Sequence, residues 1–358
     1  MTTKEKVFQE LCLRKNSGQG KSISGEELAR LCGVSRSAVW KAINFLRQEG
    51  CAIQGTTNGG YVLTEQADIL SEEIFRSCLE KNFPNLKDIH AVCLKQTDST
   101  NTHAKRLLSE CAPLKNADGT LTEAGAKMNG AVIIAESQTA GRGRLGRSFV
   151  SPEKTGIYIS IIIVPQNRRI QPSKITAFAA VAVCRAVKKL YKTECGIKWI
   201  NDVFYNGKKI CGILTEGSTD FETGQIESAV IGIGINIEPN RAAFDEELLK
   251  TAGSILDEKS EANVTRAELA AEVYGQVISV LNEDEKTAIG EYKKLVFMLG
   301  KKVRVFPLAG SSTDSYEAVA NDITDDASLV VALSDGTERT LFSGEVSLKS
   351  SELAAHIN

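Results

Sequence analysis

The sequence predicts an α+β multidomain chain: an N-terminal winged helix-turn-helix, a central α/β domain with a mixed sheet, and a C-terminal SH3-like β-barrel. Three observations support this prediction. The first 64 residues are basic, strand and helix patterns alternate through the middle of the chain, and the tail offers only short strands. At roughly 100–200 residues per domain, 358 residues suffice for two or three domains. The predicted parts are 1–65 for the first domain, 66–87 for a linker helix, 88–299 for the central domain and 300–358 for the last.

Composition and charge exclude several classes of protein. With 42% hydrophobic and 25% charged residues, the chain has a globular composition, which excludes whole-chain disorder, collagen and coiled coil. The formal net charge of −2 indicates neither a nucleic-acid nor a membrane partner. Residues 1–64, however, carry nine Lys or Arg against five Glu, which makes them +4 and leaves −6 for the rest. A small basic module therefore precedes a mildly acidic body.

The cysteine pattern indicates reduced thiols. Nine cysteines, an odd number, are scattered without a Cys-x-x-Cys, and the three histidines lie far apart, so no zinc site is expected. The sequence shows neither an N-terminal apolar signal segment nor a run of ~18 apolar residues, so we expect neither export nor a membrane span. The simplest interpretation is a cytoplasmic protein.

The basic front end has the pattern of a winged helix-turn-helix. Ser24-Gly-Glu-Glu27 is a capping box that opens a short helix, and Gly33 supplies the turn after it. Ser35 is an N-cap for a second helix, Arg36–Gln48, which has one apolar face and is polar and basic elsewhere. Two short strands around a Thr-Asn-Gly-Gly turn at 57–60 then form the wing.

This front end predicts DNA binding. The residues expected to approach bases or phosphates are Ser35, Arg36, Ser37, Trp40, Lys41 and Asn44. Wing residues 56–58 are expected to contact the flanking DNA backbone. The alternative is a helical hairpin that packs on the body and leaves its charges in solvent. The wing and the basic excess confined to this segment favour DNA binding.

Strands and helices interleave in the central region, as in an α/β domain. The predicted strands are 90–95, 131–136, 157–164, 196–199, 203–205, 208–216 and 228–237. The predicted helices are 100–109, 172–191 and 265–281, the last with a capping box at its start. A hairpin at 205–208 implies antiparallel neighbours and hence a mixed sheet. The polar stretch 111–129 has no periodicity, and we expect a mobile surface insertion there.

The tail offers four or five short strands separated by turn residues. They are predicted at 303–306, 316–323, 329–333, 339–342 and 345–348. This spacing is typical of a small β-barrel and supports the SH3-like prediction.

A glycine-rich segment after the second central strand carries three arginines, Arg142, Arg144 and Arg147. Gly141, Gly143 and Gly146 match a dinucleotide-binding fingerprint, but the next segment contains Pro and Gly and is not the required helix. Guanidinium groups on a glycine-rich loop favour a polyphosphate or a carboxylate. We expect the loop to be disordered by repulsion until an anion neutralises it. The alternative is a solubilising surface loop.

Two further segments suggest a site. Lys198-Trp-Ile-Asn-Asp202 places a cation, a ring and a carboxylate at a strand end, although an ordinary salt-bridged turn has the same composition. Ile231-Gly-Ile-Gly-Ile-Asn236 alternates glycine with isoleucine, so one face of the strand has no side chains there and a ligand can approach closely. Tight packing of a helix against that face is the alternative.

Taken together, these segments are similar to the bifunctional biotin–protein ligases and biotin-operon repressors of bacteria over nearly the whole chain. The matching segments are Asp98-Ser-Thr-Asn101, Glu136-Ser-Gln-Thr-Ala-Gly-Arg-Gly-Arg-Leu-Gly-Arg147, Lys198-Trp-Ile-Asn-Asp202, Gly212-Ile-Leu214, Gly232-Ile-Gly-Ile-Asn236 and Gly344-Glu-Val-Ser-Leu348. The resemblance implies a class-II-synthetase-like ligase domain. It also implies two steps: biotin and ATP form biotinyl-5′-AMP, and a lysine of a biotin carboxyl carrier protein of acetyl-CoA carboxylase then accepts the biotinyl group. Operator DNA, a ligand-linked homodimer with biotinyl-5′-AMP as corepressor, and Mg²⁺ carried by ATP without metal ligands from the protein are also implied.

The resemblance assigns roles by position. The biotin site would comprise Ser99, Thr100, Asn101, Gln138, Gly141, Arg142, Gly143, Arg144, Lys198, Gly212 and Leu214. The nucleotide site would comprise Arg142, Arg144, Arg147, Phe149, Lys198, Asn201 and Asn236. The catalytic residues would be Lys198 beside the reacting carboxylate and phosphate, Arg142, and Asp202 to orient the incoming lysine.

The chain departs from the family pattern at two places. Phe149 stands where the family usually has Trp, which keeps a stacking ring but loses the indole N–H. Ile200 stands where the family usually has Pro, which frees a backbone donor. Neither change removes a charge that the reaction needs. Two alternatives remain: a lipoate or octanoate protein ligase, and a biotin-sensing regulator without catalysis.

Overall fold

The computed structural model describes residues 2–16, 22–48, 51–56, 59–64, 68–86, 88–166, 171–219, 226–239, 243–257, 264–306 and 315–348. Residues 57 and 58 of the predicted wing turn lie outside this set. The helices are α1 Thr3–Asn16, α2 Gly25–Cys32, α3 Arg36–Gln48, α4 Glu72–Asn82, α5 Thr100–Glu110, α6 Glu123–Met128, α7 Pro172–Tyr191, α8 Glu246–Thr251, α9 Arg266–Asn282 and α10 Glu285–Leu295. Among the described residues, none of these helices combines the length and apolarity needed to cross a bilayer.

The strands fall into three groups along the chain. The N-terminal pair is β1 Ile53–Thr56 and β2 Gly60–Leu63. The central strands are β3 Ala91–Thr97, β4 Val132–Gln138, β5 Gly156–Ile163, β6 Gly196–Lys198, β7 Asp202–Tyr205, β8 Lys208–Thr219 and β9 Ile226–Asn236. The C-terminal strands are β10 Lys302–Phe306, β11 Tyr316–Ile323, β12 Leu329–Ala332, β13 Glu338–Leu341 and β14 Glu345–Ser347.

The N-terminal module is the predicted helix-turn-helix with a two-stranded wing. Gly33 ends α2 with a φ of 65°, and Ser35 Oγ accepts the backbone N–H of Ala38 at the start of α3. Ser24 caps α2 through the Glu27 amide, but the Glu27 carboxylate pairs with Arg14 of α1 at 2.7 Å. The Ser24 cap is therefore confirmed, while the glutamate of the predicted capping box instead ties α2 to α1, a helix that the sequence pattern missed.

The central sheet is mixed, as predicted. In the described part of the chain its strand order is β3-β4-β5-β9-β8-β7-β6, with β3 and β4 parallel and the other pairs antiparallel. The largely buried helices α7 and α9 pack together over one face, where the core includes Ile134, Ile159 and Ile233. The other face packs α5 against Ile133 and Ile162. The sheet is thus a middle layer between helices.

The stretch 111–129 is folded, so the prediction of a mobile insertion is wrong. It contains α6, and Leu114 and Met128 are only 3% and 1% exposed. Gly125 packs so closely that a Cβ there would lie 1.9 Å from the Leu114 carbonyl oxygen. Two buried apolar side chains without a regular spacing leave no periodic signal, which explains the wrong prediction.

The helix of the linker is shorter than the predicted range of 66–87, and it is more buried than its polar sequence suggests. This helix is α4, and Phe75 of α4 packs edge-to-face on Tyr274 of α9 with ring centroids 5.9 Å apart. Before α4, Asp68 accepts the backbone N–H of Arg266 and pairs with its guanidinium, which also pairs with Glu136 of β4 at 2.6 Å. Arg266 is 3% exposed, so this ion cluster joins the linker, α9 and β4 in the interior.

The C-terminal strands form an antiparallel sheet of order β13-β12-β11-β10-β14. Within the described residues β13 and β14 are not paired with each other, so the sheet is β-rich as predicted but no closed barrel is seen. Its inner residues share one core with the central sheet. A buried hydrogen bond of 2.9 Å also joins the two, from Trp199 Nε1 to the Ala327 carbonyl.

Candidate functional site: a polar cleft with arginines at its mouth

A cleft of about 460 Å³ opens where the N-terminus of α5 meets β8 and β9. Eleven of the residues predicted for the site line it: Ser99, Thr100, Asn101, Gln138, Arg142, Gly143, Arg144, Phe149, Asn201, Gly212 and Leu214. Side chains from segments more than 100 residues apart are therefore brought together in one site.

The inner wall of the cleft is a hydrogen-bonded set of uncharged polar groups. Gln138 Oε1 accepts the Thr100 amide at 2.8 Å, and Gln138 Nε2 donates to Ser151 Oγ at 2.8 Å. Ser160 Oγ, on β5, lies 2.7 Å from Thr100 Oγ1. Because burial makes unpaired polar groups costly, this set holds Thr100 and Gln138 in fixed orientations.

The Asn101 amide is bonded entirely within the protein. Its Nδ2 donates to the Leu214 carbonyl at 3.2 Å and to Glu216 at 2.9 Å, while its Oδ1 lies 2.6 Å from Ser160 Oγ. Asn101 therefore shapes the wall of the cleft. Ser160 and Glu216 are residues that the sequence reasoning missed, and their spacing along two strands gives no motif by which to find them.

The alternating glycines Gly232 and Gly234 of β9 line the cleft, and side chains of the protein lie against both of them. A Cβ at Gly232 would lie 2.3 Å from Asn101 Oδ1, and one at Gly234 would lie 2.5 Å from the Phe149 ring. Gly212 of β8 lies beside the same ring, at 3.2 Å. Phe149 also packs against Tyr158, which lines the cleft as well. The glycines therefore make room for the side chains of Asn101 and Phe149.

The arginine loop has a defined conformation in the structure, and its ordering by an anion stays a prediction. The Gly143 amide donates to the Arg147 carbonyl at 2.7 Å, and the Phe149 amide donates to the Gly141 carbonyl at 2.9 Å. Arg144 donates to Asn201 Oδ1 at 2.9 Å and to the Gly344 carbonyl at 3.2 Å.

Arg142 and Arg144 interact with different side chains of the protein. Arg142 lies 3.7 Å from Glu216, on a different side from the partners of Arg144. Arg142 thus lies near a carboxylate and Arg144 donates to an amide oxygen, which reduces the repulsion that the sequence alone suggests.

A lysine that the sequence reasoning missed also lines the cleft. Lys209 Nζ lies 2.6 Å from Asp202 and within 3.2 Å of the position of a Cβ on Gly212. Strict alternation along β8 would place Lys209 on the face opposite Gly212. A bulge at Ile210, where Val203 pairs with Cys211 but Phe204 pairs with Lys209, reverses the face.

Five predicted residues are outside the lining of the cleft: Gly141, Arg147, Lys198, Asp202 and Asn236. Lys198 is the last residue of β6 and pairs with Asp202 across the hairpin. Asn236 donates to the Gly253 carbonyl at 3.0 Å, and Arg147 is exposed on the loop. The roles predicted for these residues stay predictions.

Asp98, directly before the Ser99 of the cleft wall, is held ionised by its neighbours. The Arg106 guanidinium and the Ser99 amide lower the pKa of Asp98 to about 2, against a smaller opposing effect of burial. Burial raises the pKa of Tyr158 to about 12, so its hydroxyl stays neutral and donates to the Pro152 carbonyl. Around the described cleft, no three His, Cys, Asp or Glu side chains are grouped to hold a metal.

The residues predicted to contact DNA lie on or next to α3, on the side of that helix that faces away from the core of the module. Ser35, Arg36, Ser37 and Lys41 are exposed, Asn44 is half-buried, and 59% of Trp40 is exposed. The opposite face, with Val39 and Ile43, is buried in the module. This is the arrangement that a recognition helix needs to present side chains to a groove.

Comparison with known proteins agrees with both modules. Residues 95–236 match the Biotin/lipoate A/B protein ligase family, and residues 12–62 match an HTH domain. The Bifunctional ligase/repressor BirA of Bacillus spizizenii is 35% identical over 245 residues, which are 68% of this chain and 69% of that protein. The chain belongs to the bifunctional ligase/repressor family.

Other family members extend the match to nearly the whole chain. The Bifunctional ligase/repressor BirA of Escherichia coli is 27% identical over 337 residues, covering 93% of this chain and 95% of that protein. The fold is that of a biotin protein ligase from Aquifex aeolicus in complex with biotin and ATP. The TM-score is 0.56 at 23% identity, with 73% of this chain and 98% of that one covered.

Proposed function

We propose that the chain is an ATP-dependent biotin–protein ligase and a DNA-binding repressor, as its family is named. The observation that supports this most is the cleft itself. An uncharged hydrogen-bonding wall at Thr100 and Gln138 suits the polar head of biotin, and cations at its mouth suit a carboxylate and a phosphate. Gly212, Gly232 and Gly234 line the same cleft, and we propose that the apolar chain of biotin lies along them.

In the proposed first step the biotin carboxylate attacks the α-phosphate of ATP, and pyrophosphate leaves. Two anionic groups must approach each other, so charge neutralisation and positioning contribute more than acid–base chemistry. We assign this role to Arg142, Arg144 and Lys209, in addition to the Lys198 that the sequence suggested. Phe149 is placed to face the nucleotide base, and Asn201 orients Arg144 through their hydrogen bond.

In the proposed second step a lysine of a biotin carboxyl carrier protein attacks the acyl-phosphate and AMP leaves. Asp202 is 20% exposed and paired with Lys209, which lines the cleft, and we propose that it helps to orient the incoming lysine side chain. Mg²⁺ would arrive with ATP and bind phosphate oxygens.

Pyrophosphate release tests the ligase proposal against its alternatives. With ATP present, the protein should release pyrophosphate on addition of biotin but not of lipoate or octanoate. Release with lipoate instead would favour a lipoate ligase, because the matching family includes both activities. Biotin binding without any release would favour a regulator that lacks catalysis.

The repressor proposal links the same ligand to DNA. We propose that biotinyl-5′-AMP favours a homodimer whose two recognition helices read a two-fold operator. The support is the exposed polar face of α3 on a module fused to an anion-binding cleft. Unchanged sedimentation and unchanged DNA affinity on addition of biotinyl-5′-AMP would contradict this link.

We also propose the finer organisation that the sequence suggested. Domain boundaries at residues 65, 87 and 299 and an SH3-like closure of the tail are supported by the separate N-terminal core and by the antiparallel C-terminal sheet. A cytoplasmic location is supported by the cysteines, all nine of which are free thiols.

A further inference from the structure

The carboxylate of Glu216 lies between the polar wall of the cleft and the arginine loop. Glu216 is on β8, opposite Val230, and 19% of its side chain is exposed. It accepts hydrogen bonds from Asn101 Nδ2 at 2.9 Å and from Lys105 Nζ at 2.5 Å, and Arg142 Nη1 lies 3.7 Å away. Burial alone would raise the pKa of this carboxyl, but its bonds to Lys105 and Asn101 and the charge of Arg142 lower it. Glu216 is therefore ionised at neutral pH.

We infer that Glu216 is a positioning residue that acts as a counter-ion of Arg142 and competes with the anionic group of the ligand for that guanidinium. This inference rests on the proposed function, in which Arg142 neutralises the carboxylate or phosphate. The hold on Arg142 is weak enough to be exchanged. The distance of 3.7 Å is too long for a hydrogen bond, and 51% of the Arg142 side chain is exposed.

Lys105 sets the strength of that hold. It lies one helical turn after Asn101 on α5, so both side chains reach the same carboxylate. The Lys105 ammonium is closer to Glu216 than the Arg142 guanidinium is, and it neutralises most of the negative charge. Without Lys105, Glu216 would attract Arg142 more strongly and leave it less available to an anion.

This role predicts opposite effects for the two partners. If Glu216 only supported Asn101, replacing either Glu216 or Lys105 would loosen the wall and weaken ligand binding. If Glu216 competes for Arg142, Glu216→Gln strengthens the binding of an anionic ligand and Lys105→Gln weakens it. Glutamine keeps an oxygen that accepts the Asn101 amide, so the wall itself is preserved.

The experiment is titration calorimetry of the full chain with biotin and with its neutral amide. Glu216→Gln should lower the Kd for biotin roughly two- to fivefold, and Lys105→Gln should raise it by a similar factor, as expected for partly exposed charges. The Kd for the amide should not change in either variant. Glu110→Gln, which removes an exposed charge at the other end of α5, is the matched control and should have no effect.

Two further measurements separate this role from a general change in charge. In an Arg142→Met background the gain from Glu216→Gln should shrink, because the competed group is gone. The gain should also fall as ionic strength rises. Weaker biotin binding by Glu216→Gln, or an equal gain for the amide, would overturn the inference. A parent protein that binds no biotin would contradict the proposed function instead.

Discussion

The catalytic contributions of two single residues, Lys209 and Lys198, can be compared directly. Both lie in the segment from β6 to β8, but of the two only Lys209 lines the cleft. Removing a group that stabilises developing charge lowers kcat by roughly a hundredfold or more. Lys209→Met should therefore slow pyrophosphate release at saturating biotin and ATP by about that factor, and Lys198→Met should have a much smaller effect. Pyrophosphate release is the measurement. The reverse ranking would show that Lys198 carries more of this role than Lys209.

A substitution at Gly234 tests whether the glycines of β9 are needed to accommodate the Phe149 ring. A Cβ at this position would lie 2.5 Å from the Phe149 ring, so Gly234→Ala must displace the ring, at a cost of about 1–3 kcal/mol in the free energy of unfolding. Denaturant unfolding should show this loss. In a Phe149→Ala background the same substitution should cost much less, because the clashing ring is absent. Equal losses in the two backgrounds would mean that the ring is not what the glycine accommodates.

The start of α5 depends on a neighbouring carboxylate. Ser99 makes no side-chain cap, and Asp98 instead accepts the Ser99 amide at 2.7 Å while pairing with Arg106. Since the pKa of Asp98 is about 2 in the folded chain, below its ordinary value of 3.8, its stabilising effect is present above pH 4 and is lost as the pH falls toward 2.

Asp98→Asn should therefore destabilise the protein near neutral pH but not in acid. Urea unfolding of parent and variant at about pH 6 and about pH 3 measures the difference, which should shrink at the lower pH. Because 39% of the Asp98 side chain is exposed, added salt should also reduce it. A difference that does not depend on pH would show that ionisation of Asp98 is not its source.

Most helices and strands were predictable from the sequence because their signals are local. Pro172–Tyr191 is a helix with the predicted bounds, and Thr265 forms the predicted capping box. What escaped prediction depends on distant contacts. The bulge at Ile210 that turns Lys209 into the cleft has no signature in the sequence, and α6 is held by buried contacts of Leu114 and Met128.

For the molecule as a whole, the indole of Trp199 connects the central and C-terminal sheets. It is 4% exposed, and its hydrogen bond to the Ala327 carbonyl links two segments 128 residues apart. Trp199→Phe keeps an aromatic ring but leaves that buried carbonyl without its donor, which should cost about 1–3 kcal/mol in the free energy of unfolding. Chemical denaturation is the measurement.

The other tryptophan of the chain, Trp40, provides the control for that substitution. It is 59% exposed on α3, so Trp40→Phe should leave the unfolding free energy nearly unchanged. Equal effects of the two substitutions would mean that the bond to Ala327 does not stabilise the fold. The control should weaken DNA binding instead, if Trp40 contacts the operator as predicted.

The arrangement of whole modules was only partly predictable. Their order and the mixed central sheet follow from charge and periodicity, but the shared core of the central and C-terminal sheets does not, because strand patterns do not specify which surfaces pack together. The arginine loop illustrates the same limit. Three like charges in sequence suggested repulsion, whereas their separate partners, Glu216 for Arg142 and Asn201 for Arg144, are visible only in three dimensions.

The ion cluster of Arg266 has a practical consequence for anyone who wishes to shorten this protein. Deleting the DNA-reading front end up to residue 70 would also remove Asp68. The Arg266 side chain, which is only 4% exposed, would then keep Glu136 as its remaining carboxylate partner in the cluster. A truncation intended to yield the enzyme alone should therefore begin before Asp68.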